Sequence, residues 1–216
     1  MTGNNTCIFC VGYTEQVRIL ENEVAHLTQA LAESKAENKR LSDIAYFDYL
    51  TGVPSRRVFD TVMSQIALKR VVSKKQRPVS LAIIDLDNFG EVNKVYGILR
   101  GDAILKKFAR IIKEMSRPSD FFARLGGEEF GIIFYDLDQE QLRLVVERFR
   151  KAVDEKLRLQ FALSDEDVEG PEEIRVTASF GVGTWREGES VSEFMERVDA
   201  GMQDSKREGK NRVTIV

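Results

Sequence analysis

Apolar positions along the chain follow two different rules, and the change falls near residue 48. Between residues 13 and 47, Val17, Leu20, Val24, Leu27, Leu31, Ser34, Asn38 and Leu41 succeed one another in alternating steps of three and four. That is the a/d seam of a heptad repeat. Val17, Val24, Leu31 and Asn38 take the a positions, and Leu20, Leu27, Ser34 and Leu41 the d positions. No proline interrupts the segment, and Glu, Lys, Arg and Gln fill much of the remaining surface. An Asn at one a position hydrogen-bonds its twin across a two-stranded pair and fixes register at some cost in stability. The spacing therefore predicts a helix about 50 Å long at 1.5 Å per residue, paired in parallel with a second copy. The alternative is one amphipathic helix folded back on its own domain, which would carry a wider apolar stripe.

Beyond residue 48 the pattern alternates between strand and helix periods. Pro54-Ser55 precedes a helical pattern with Val58, Phe59, Val62 and Ile66. Residues 79–84 form a short apolar run that suits a central strand, and residues 102–115 read as a helix with Ile104, Leu105, Phe108, Ile111 and Ile112 inward. Two strand-like runs, 121–125 and 129–135, are split by Gly126-Gly127, a pair suited to a two-residue hairpin. Residues 142–153 are helical, and the acidic stretch 164–173, with Gly170-Pro171, reads as a loop. A strand at 176–183, a helix at 191–207 and a last strand at 213–216 follow. This order implies an α+β domain with a central mixed β-sheet surrounded by helices, preceded by a coiled-coil helix. The chain divides into an N-terminal segment (1–12), the dimerisation helix (13–47) and one globular domain (48–216).

Composition narrows the class. The 216 residues are 43% hydrophobic and 31% charged, with 4 Pro and 15 Gly, which excludes collagen and a wholly disordered chain. No apolar run approaches the ~18 residues that span a bilayer. The start of the chain lacks the basic and apolar regions of a secretory signal. A net charge of −3 argues against a general nucleic-acid binder, although it leaves room for a local phosphate site. The expectation is a cytoplasmic protein with neither membrane nor nucleic acid as partner. The two cysteines, Cys7 and Cys10, are too few for a disulfide framework.

Candidate chemistry sits in three loops. Asp85-Leu86-Asp87 follows the central apolar strand, and two acids at a strand end suit a hard cation such as Mg²⁺, which prefers oxygen ligands and arrives with substrate phosphates. A turn and a helix N-cap would explain the same residues. Arg124-Leu125-Gly126-Gly127-Glu128-Glu129-Phe130 combines a glycine turn, which lets backbone approach a ligand closely, with two acids. An ordinary hairpin with exposed charges is the plainer account. Lys206-Arg207-Glu208-Gly209-Lys210-Asn211-Arg212 gathers four cations at a helix end closed by Gly209. They suit either the helix dipole or a triphosphate.

Taken in order, these pieces resemble the GGDEF family of diguanylate cyclases. The resemblance runs from Asp48-Tyr49-Leu50-Thr51-Gly52-Val53-Pro54 at the domain entrance, through the Asp85 loop with Asn93, Gly97 and Gly101-Asp102, to Gly126-Gly127-Glu128-Glu129-Phe130 and Lys206 with Lys210-Asn211-Arg212. It implies a fold like the palm of nucleotidyl cyclases and polymerases, and condensation of two GTP into cyclic di-GMP with release of two pyrophosphates. It implies further that Asp85, Glu128 and the Leu86 carbonyl hold Mg²⁺ or Mn²⁺, assisted by Glu129. Asn93 and Asp102 would read guanine, Lys206 and Lys210 would clamp phosphates, and Glu128 would accept the proton of the attacking 3′-hydroxyl. One domain would hold one GTP, so the enzyme would act as a homodimer through the N-terminal helix.

Arg117-Pro118-Ser119-Asp120 ends shortly before Gly126 and resembles the family's RxxD inhibitory site. There Arg117 and Asp120 would bind cyclic di-GMP, with Arg148 or Arg150 adding a further guanidinium. The plainer account is a helix end stopped by Pro118, with a surface ion pair worth about 0–1 kcal/mol. The family commonly has Lys where Gly90 stands, Asp where Lys94 stands and His where Ile98 stands. These departures leave a catalytically silent protein that binds cyclic di-GMP or GTP as the alternative. Cys7-Ile8-Phe9-Cys10 offers two thiolates, and a parallel dimer would bring four sulfurs together, enough for a structural Zn²⁺. A redox switch and no role at all are the other readings. His26 faces away from the seam and is not recruited.

Overall fold

The computed structural model describes residues 8–72, 77–160 and 173–216; side chains of helix α1 are described at 16–35, 37 and 46. The chain forms two compact units, Met1–Ala45 and Tyr46–Val216. The first is built on the single helix α1 (Ile8–Tyr46). Its seam residues Val17, Leu20, Val24, Leu27 and Leu31 are all exposed, while the Asn38 and Leu41 side chains and Cys7 lie outside the described residues. So does most of the stretch read as an acidic loop.

The second unit follows the order α2 (Arg56–Val72), β1 (Val79–Leu86), α3 (Phe89–Tyr96), α4 (Ile98–Met115), β2 (Phe121–Gly126), β3 (Glu129–Tyr135), α5 (Gln139–Lys156), β4 (Arg158–Gln160), β5 (Glu173–Arg175), β6 (Ala178–Thr184), α6 (Val191–Arg207) and β7 (Val213–Ile215). Five strands make one sheet in the order β2-β3-β1-β6-β7, and β4 with β5 makes a separate pair. Among the described strands only β6 and β7 run parallel; β1 is antiparallel to both its neighbours. The expected mixed central sheet with surrounding helices is thus present.

The sheet is sandwiched because β1 is apolar on both faces, and all eight of its residues are buried. Ala82 and Ile84 pack in one cluster with Phe108, Phe130, Phe134, Phe149 and Phe180. Leu81 and Ile83 pack in the other with Phe59, Met63, Phe194, Val198 and Met202. This is the period-2 alternation of a strand dividing one core into two. On the second face α6 lies directly on β6: a Cβ added at Gly181 would come within 2.1 Å of the Val198 carbonyl, so glycine sets the helix–sheet spacing. Capping boxes start α5 (Asp138 with Gln141) and α6 (Ser190 with Glu193), each meeting orphan N–H groups of a first turn.

Three details depart from the sequence expectations. The short helix α3 follows the Asp85 loop, where the sequence offers a helix N-cap but no helical period. It buries only Phe89 and Val92, too few positions to set a period, and Asn88 before it is left-handed (φ +57°) with no side-chain cap. Helix α4 begins at Ile98 rather than Asp102, because its first turn carries the exposed Ile98 and Leu99 and breaks the amphipathic pattern. The β2–β3 turn falls on Gly127-Glu128 instead of Gly126-Gly127. A register shift between Arg124 and Gly126 pairs Gly126 with Glu129, leaving Gly127 at φ +49° to reverse the chain.

Candidate active site

Antiparallel pairing of β1 with β3 sets Asp85 opposite Glu129, next to the turn that carries Glu128. The Leu86 N–H points at the Glu128 carbonyl, 3.4 Å away. The carboxylate end of the central strand and the glycine turn therefore meet, although 42 residues separate Asp85 from Glu128 in the sequence. Into the same corner α6 delivers Lys206, whose Nζ lies 2.7 Å from Asp85 Oδ2. Lys210, beyond the end of α6, reaches Asn88 Oδ1.

Asp85 is 4% exposed, and its Oδ1 is buried without a hydrogen-bond partner. Burial, partly offset by the Lys206 ammonium and reinforced by the charges of Glu128 and Glu129, leaves this carboxyl raised to about 6. Each effect is the expected one, since desolvation and like charges disfavour an anion and a nearby cation favours it.

Of the two aspartates at the end of β1, Asp87 does not join this group. Its Oδ1 accepts from the Ser179 hydroxyl at 2.6 Å, and its Oδ2 from the Thr177 hydroxyl at 2.7 Å and the Asn211 N–H at 2.9 Å. The Asp-x-Asp spacing suggested a cation-binding pair, but the second carboxylate is taken up by protein donors.

The glycine turn is tied to the domain entrance by one arginine. Arg124 donates through Nε and Nη2 to the Gly127 carbonyl (3.0 and 2.6 Å) and through Nη1 to Asp48 Oδ1 (2.9 Å). The same Asp48 oxygen accepts from the Thr51 N–H and hydroxyl. Arg124 stood in the sequence beside the glycines, and its link to Asp48 crosses 76 residues, which no local pattern reveals.

Asn93 in α3 and Asp102 in α4 lie on the two sides of the α3–α4 corner at Gly97. Asn93 is half-buried, and its Oδ1 is a buried acceptor with no partner. A Cβ at Gly101 would sit 1.9 Å from that oxygen, so Gly101 makes room for the amide. Asp102 follows it, half-buried, in the second turn of α4.

Arg117 and Asp120 lie in the turn joining α4 to β2. The Arg117 N–H donates to Asp120 Oδ2 at 2.9 Å. Arg148 reaches the nearby Met115 carbonyl. Arg150, the other arginine considered for that site, instead turns to Asn211 at 2.9 Å. The Cys10 side chain, like Cys7, is outside the described residues, and the zinc and redox readings gain no support here.

Among the described residues no group of three His, Cys, Asp or Glu side chains is placed to hold a metal ion. An unpartnered carboxylate oxygen on Asp85 beside Glu128 and Glu129 nevertheless fits a hard divalent cation whose other ligands are phosphate oxygens and water. Among the described residues no helix is long and apolar enough to cross a membrane.

A family model described as "Diguanylate cyclase, GGDEF domain" matches residues 45–212. Diguanylate cyclase A of Treponema denticola is 32% identical over 197 residues, covering 90% of this chain and 51% of that protein. Diguanylate cyclase VdcA of Vibrio cholerae is 31% identical over 194 residues, covering 90% and 54%. The chain thus spans about half the length of these curated relatives. The crystal structure of the coiled coil and GGDEF domain of DgcB from Caulobacter crescentus, in complex with c-di-GMP, matches with a TM-score of 0.80 at 29% identity, over 91% of this chain and 99% of that one. A family match that takes in the entrance, the Asp85 strand end, the glycine turn and both lysines means that this chain belongs to the GGDEF-domain family of diguanylate cyclases.

Proposed function

We propose that the protein is a diguanylate cyclase that joins two GTP molecules into cyclic di-GMP and releases two pyrophosphates, working as a homodimer. The observation that carries this reading is the corner where Asp85, Glu128, Glu129 and Lys206 meet at one end of the central sheet. Names of relatives and the family model support the same chemistry.

Each domain binds one GTP. Asn93 and Asp102 face the guanine edge, where the Asp carboxylate accepts from N1–H and the 2-amino group. Adenine offers neither donor, and an unpaired buried acceptor costs about 1–3 kcal/mol. Lys206 and Lys210 hold phosphate oxygens as point charges. Asp85, Glu128 and the Leu86 carbonyl, assisted by Glu129, would hold Mg²⁺ or Mn²⁺, which when bound lowers the pKa of a coordinated hydroxyl and neutralises charge on phosphate.

Glu128 accepts the proton of the 3′-hydroxyl as its oxygen attacks the α-phosphorus of the GTP on the opposing domain, in line with departing pyrophosphate. Repeating the step in the other direction closes the ring. In-line geometry is demanding, so orientation of the two half-sites governs rate. The α1 helix supplies the second half-site at high local concentration. Its exposed seam of Val17, Leu20, Val24, Leu27 and Leu31 supports pairing with a second copy.

Product regulation is part of the proposal. Arg117 and Asp120 at the α4–β2 turn, with Arg148 reaching Met115 beside them, would bind cyclic di-GMP away from the catalytic corner.

Incubation of purified protein with GTP and Mg²⁺, followed by mass spectrometry of the nucleotides, tests the reading. Cyclic di-GMP from the wild type and none from Glu128→Ala is the expected result. A dimeric, GTP-bound sample without product would overturn it, and retained cyclic di-GMP binding in that sample would assign the receptor role instead.

A further inference from the structure

Just past α6 the backbone takes two left-handed conformations in succession, Lys210 at φ +64° and Asn211 at φ +47°. Neither residue is glycine, for which such angles are free. A strained pair of this kind persists only where its surroundings hold it, and here the holding groups come from two sides. From the end of β1, Asp87 Oδ2 accepts the Asn211 N–H at 2.9 Å. Asp87 is itself 4% exposed and anchored by the Thr177 and Ser179 hydroxyls. From α5, Arg150 Nη1 donates to the Asn211 carbonyl at 3.3 Å and to its Oδ1 at 2.9 Å. Glu147 fixes the guanidinium from behind at 2.8 and 3.0 Å.

What the turn carries gives the clamp its meaning. Lys210 projects from it to Asn88, and its own N–H closes α6 by donating to the Ser205 carbonyl at 3.0 Å. Lys206, one turn earlier, stands on Asp85. Pinning Asn211 therefore fixes where the end of α6 and both ammonium groups lie relative to the carboxylate end of β1.

We propose that Asp87 and Arg150 are positioning residues that hold the Lys210–Asn211 turn, and with it Lys206 and Lys210, in place for a nucleoside triphosphate. The inference rests on the GTP reading of the site. Charge alone gives a different expectation. Removing the anion Asp87 beside a polyphosphate should tighten binding, and removing the cation Arg150 should weaken it. Positioning makes both losses weaken it.

The test is equilibrium binding to the full chain, with Mg²⁺, of a non-hydrolysable GTP analogue and, in parallel, of GMP. Asp87→Ala and Arg150→Ala should each weaken the analogue about tenfold, the size expected for losing a charged hydrogen bond. GMP should stay within about twofold, because the guanine contacts at the α3–α4 corner are untouched. Asp87→Asn, whose amide oxygen still accepts from Asn211, should recover most of the loss. Unchanged analogue affinity, or equal losses for the two ligands, in variants that unfold cooperatively would overturn the proposal. Should Asp87→Ala not fold, Arg150→Ala decides alone: Arg150 lines a surface groove with Arg143, Glu208 and Arg212. A wild type that binds no analogue defeats the GTP reading itself, an outcome separate from a wild type that binds it and variants that bind it equally well.

Discussion

Lys206 Nζ stands 2.7 Å from Asp85 Oδ2, while the other oxygen of the same carboxylate is buried with no partner. The pair is thus half of an arrangement: one ammonium neutralises a charge that the fold has removed from water, and one lone pair is left for a further cation. Lys206→Met should leave an uncompensated buried acid and cost about 1–3 kcal/mol at neutral pH in the presence of a chelator. Its pH dependence carries the diagnosis. Asp85 is raised to about 6 in the fold from an ordinary 3.8, and loss of Lys206 raises it more. An acid with a raised folded pKa destabilises progressively as pH climbs from its unfolded value through its folded one. Wild type and variant lose stability in parallel up to about pH 6, so the gap should be absent below that pH and open as pH rises beyond it. Urea unfolding across that range measures it; a gap that is the same at every pH would show that Lys206 contributes packing only.

The Arg124 fork that joins Gly127 to Asp48 is nearly dry, with side-chain exposures of 11% and 17% for Arg124 and Asp48, which lifts it out of the class of weak surface pairs. A double-mutant cycle of Arg124→Ala and Asp48→Ala should give a coupling of about 1.5–3 kcal/mol at pH 7. Burial raises the Asp48 carboxyl, but hydrogen bonds from the Thr51 side chain and backbone and from Arg124 outweigh it and leave it below its ordinary value. A depressed acid stabilises above its unfolded pKa and stops doing so as pH falls through the folded one. The coupling should accordingly shrink below pH 4. Arg124→Lys keeps the charge without the fork, and its product formation should fall because the turn bearing Glu128 is no longer held.

Much of this is legible in the sequence itself, and the reasons differ from part to part. The run from Val79 to Ile84 announced a strand buried on both faces, and β1 is that strand. The order of glycine turn, acids and lysines marked the corner where Asp85, Glu128 and Lys206 meet, because each piece is local in sequence even though the meeting is not. What stayed hidden depends on pairing across long separations. Asp87 looked like a partner of Asp85, yet its donors come from Thr177, Ser179 and Asn211. Arg150 reads with Arg148 as a candidate guanidinium for the inhibitory site, yet its partner is Asn211, 61 positions later. The one-residue shift of the β2–β3 turn came from a register irregularity, which alternating patterns do not encode.

Gly101 tests the guanine corner without touching either reading residue. Alanine there would meet Asn93 Oδ1 at 1.9 Å and Phe89 Cζ at 3.2 Å, so the amide must swing away. Ala is the better helix former by about 1 kcal/mol, which offsets the crowding in overall stability. Gly101→Ala should then stay within about 1 kcal/mol of wild type in unfolding while its preference for GTP over ATP falls about tenfold or more in competition binding. An intact preference in a folded variant would remove Asn93 from base recognition.

The α1 seam makes the strongest claim about assembly. Leu20 and Leu27 are 56% and 61% exposed on the single chain, and a buried Leu is worth about 1.5–3 kcal/mol over an exposed one. Lysine at both positions removes four such side chains from a parallel pair and sets four ammonium groups against one another. Leu20→Lys/Leu27→Lys should be monomeric by light scattering at concentrations where wild type is a dimer. Its GTP binding per chain should be unchanged, since nothing in Tyr46–Val216 is altered. Product formation should collapse at sub-micromolar protein, because linkage gives the second half-site an effective concentration in the millimolar range, and should recover with the square of protein concentration. That quadratic recovery separates a helix that delivers the second half-site from one that merely stabilises the fold. A monomer with full specific activity at every dilution would place both GTP molecules on one chain and remove the dimer from the mechanism.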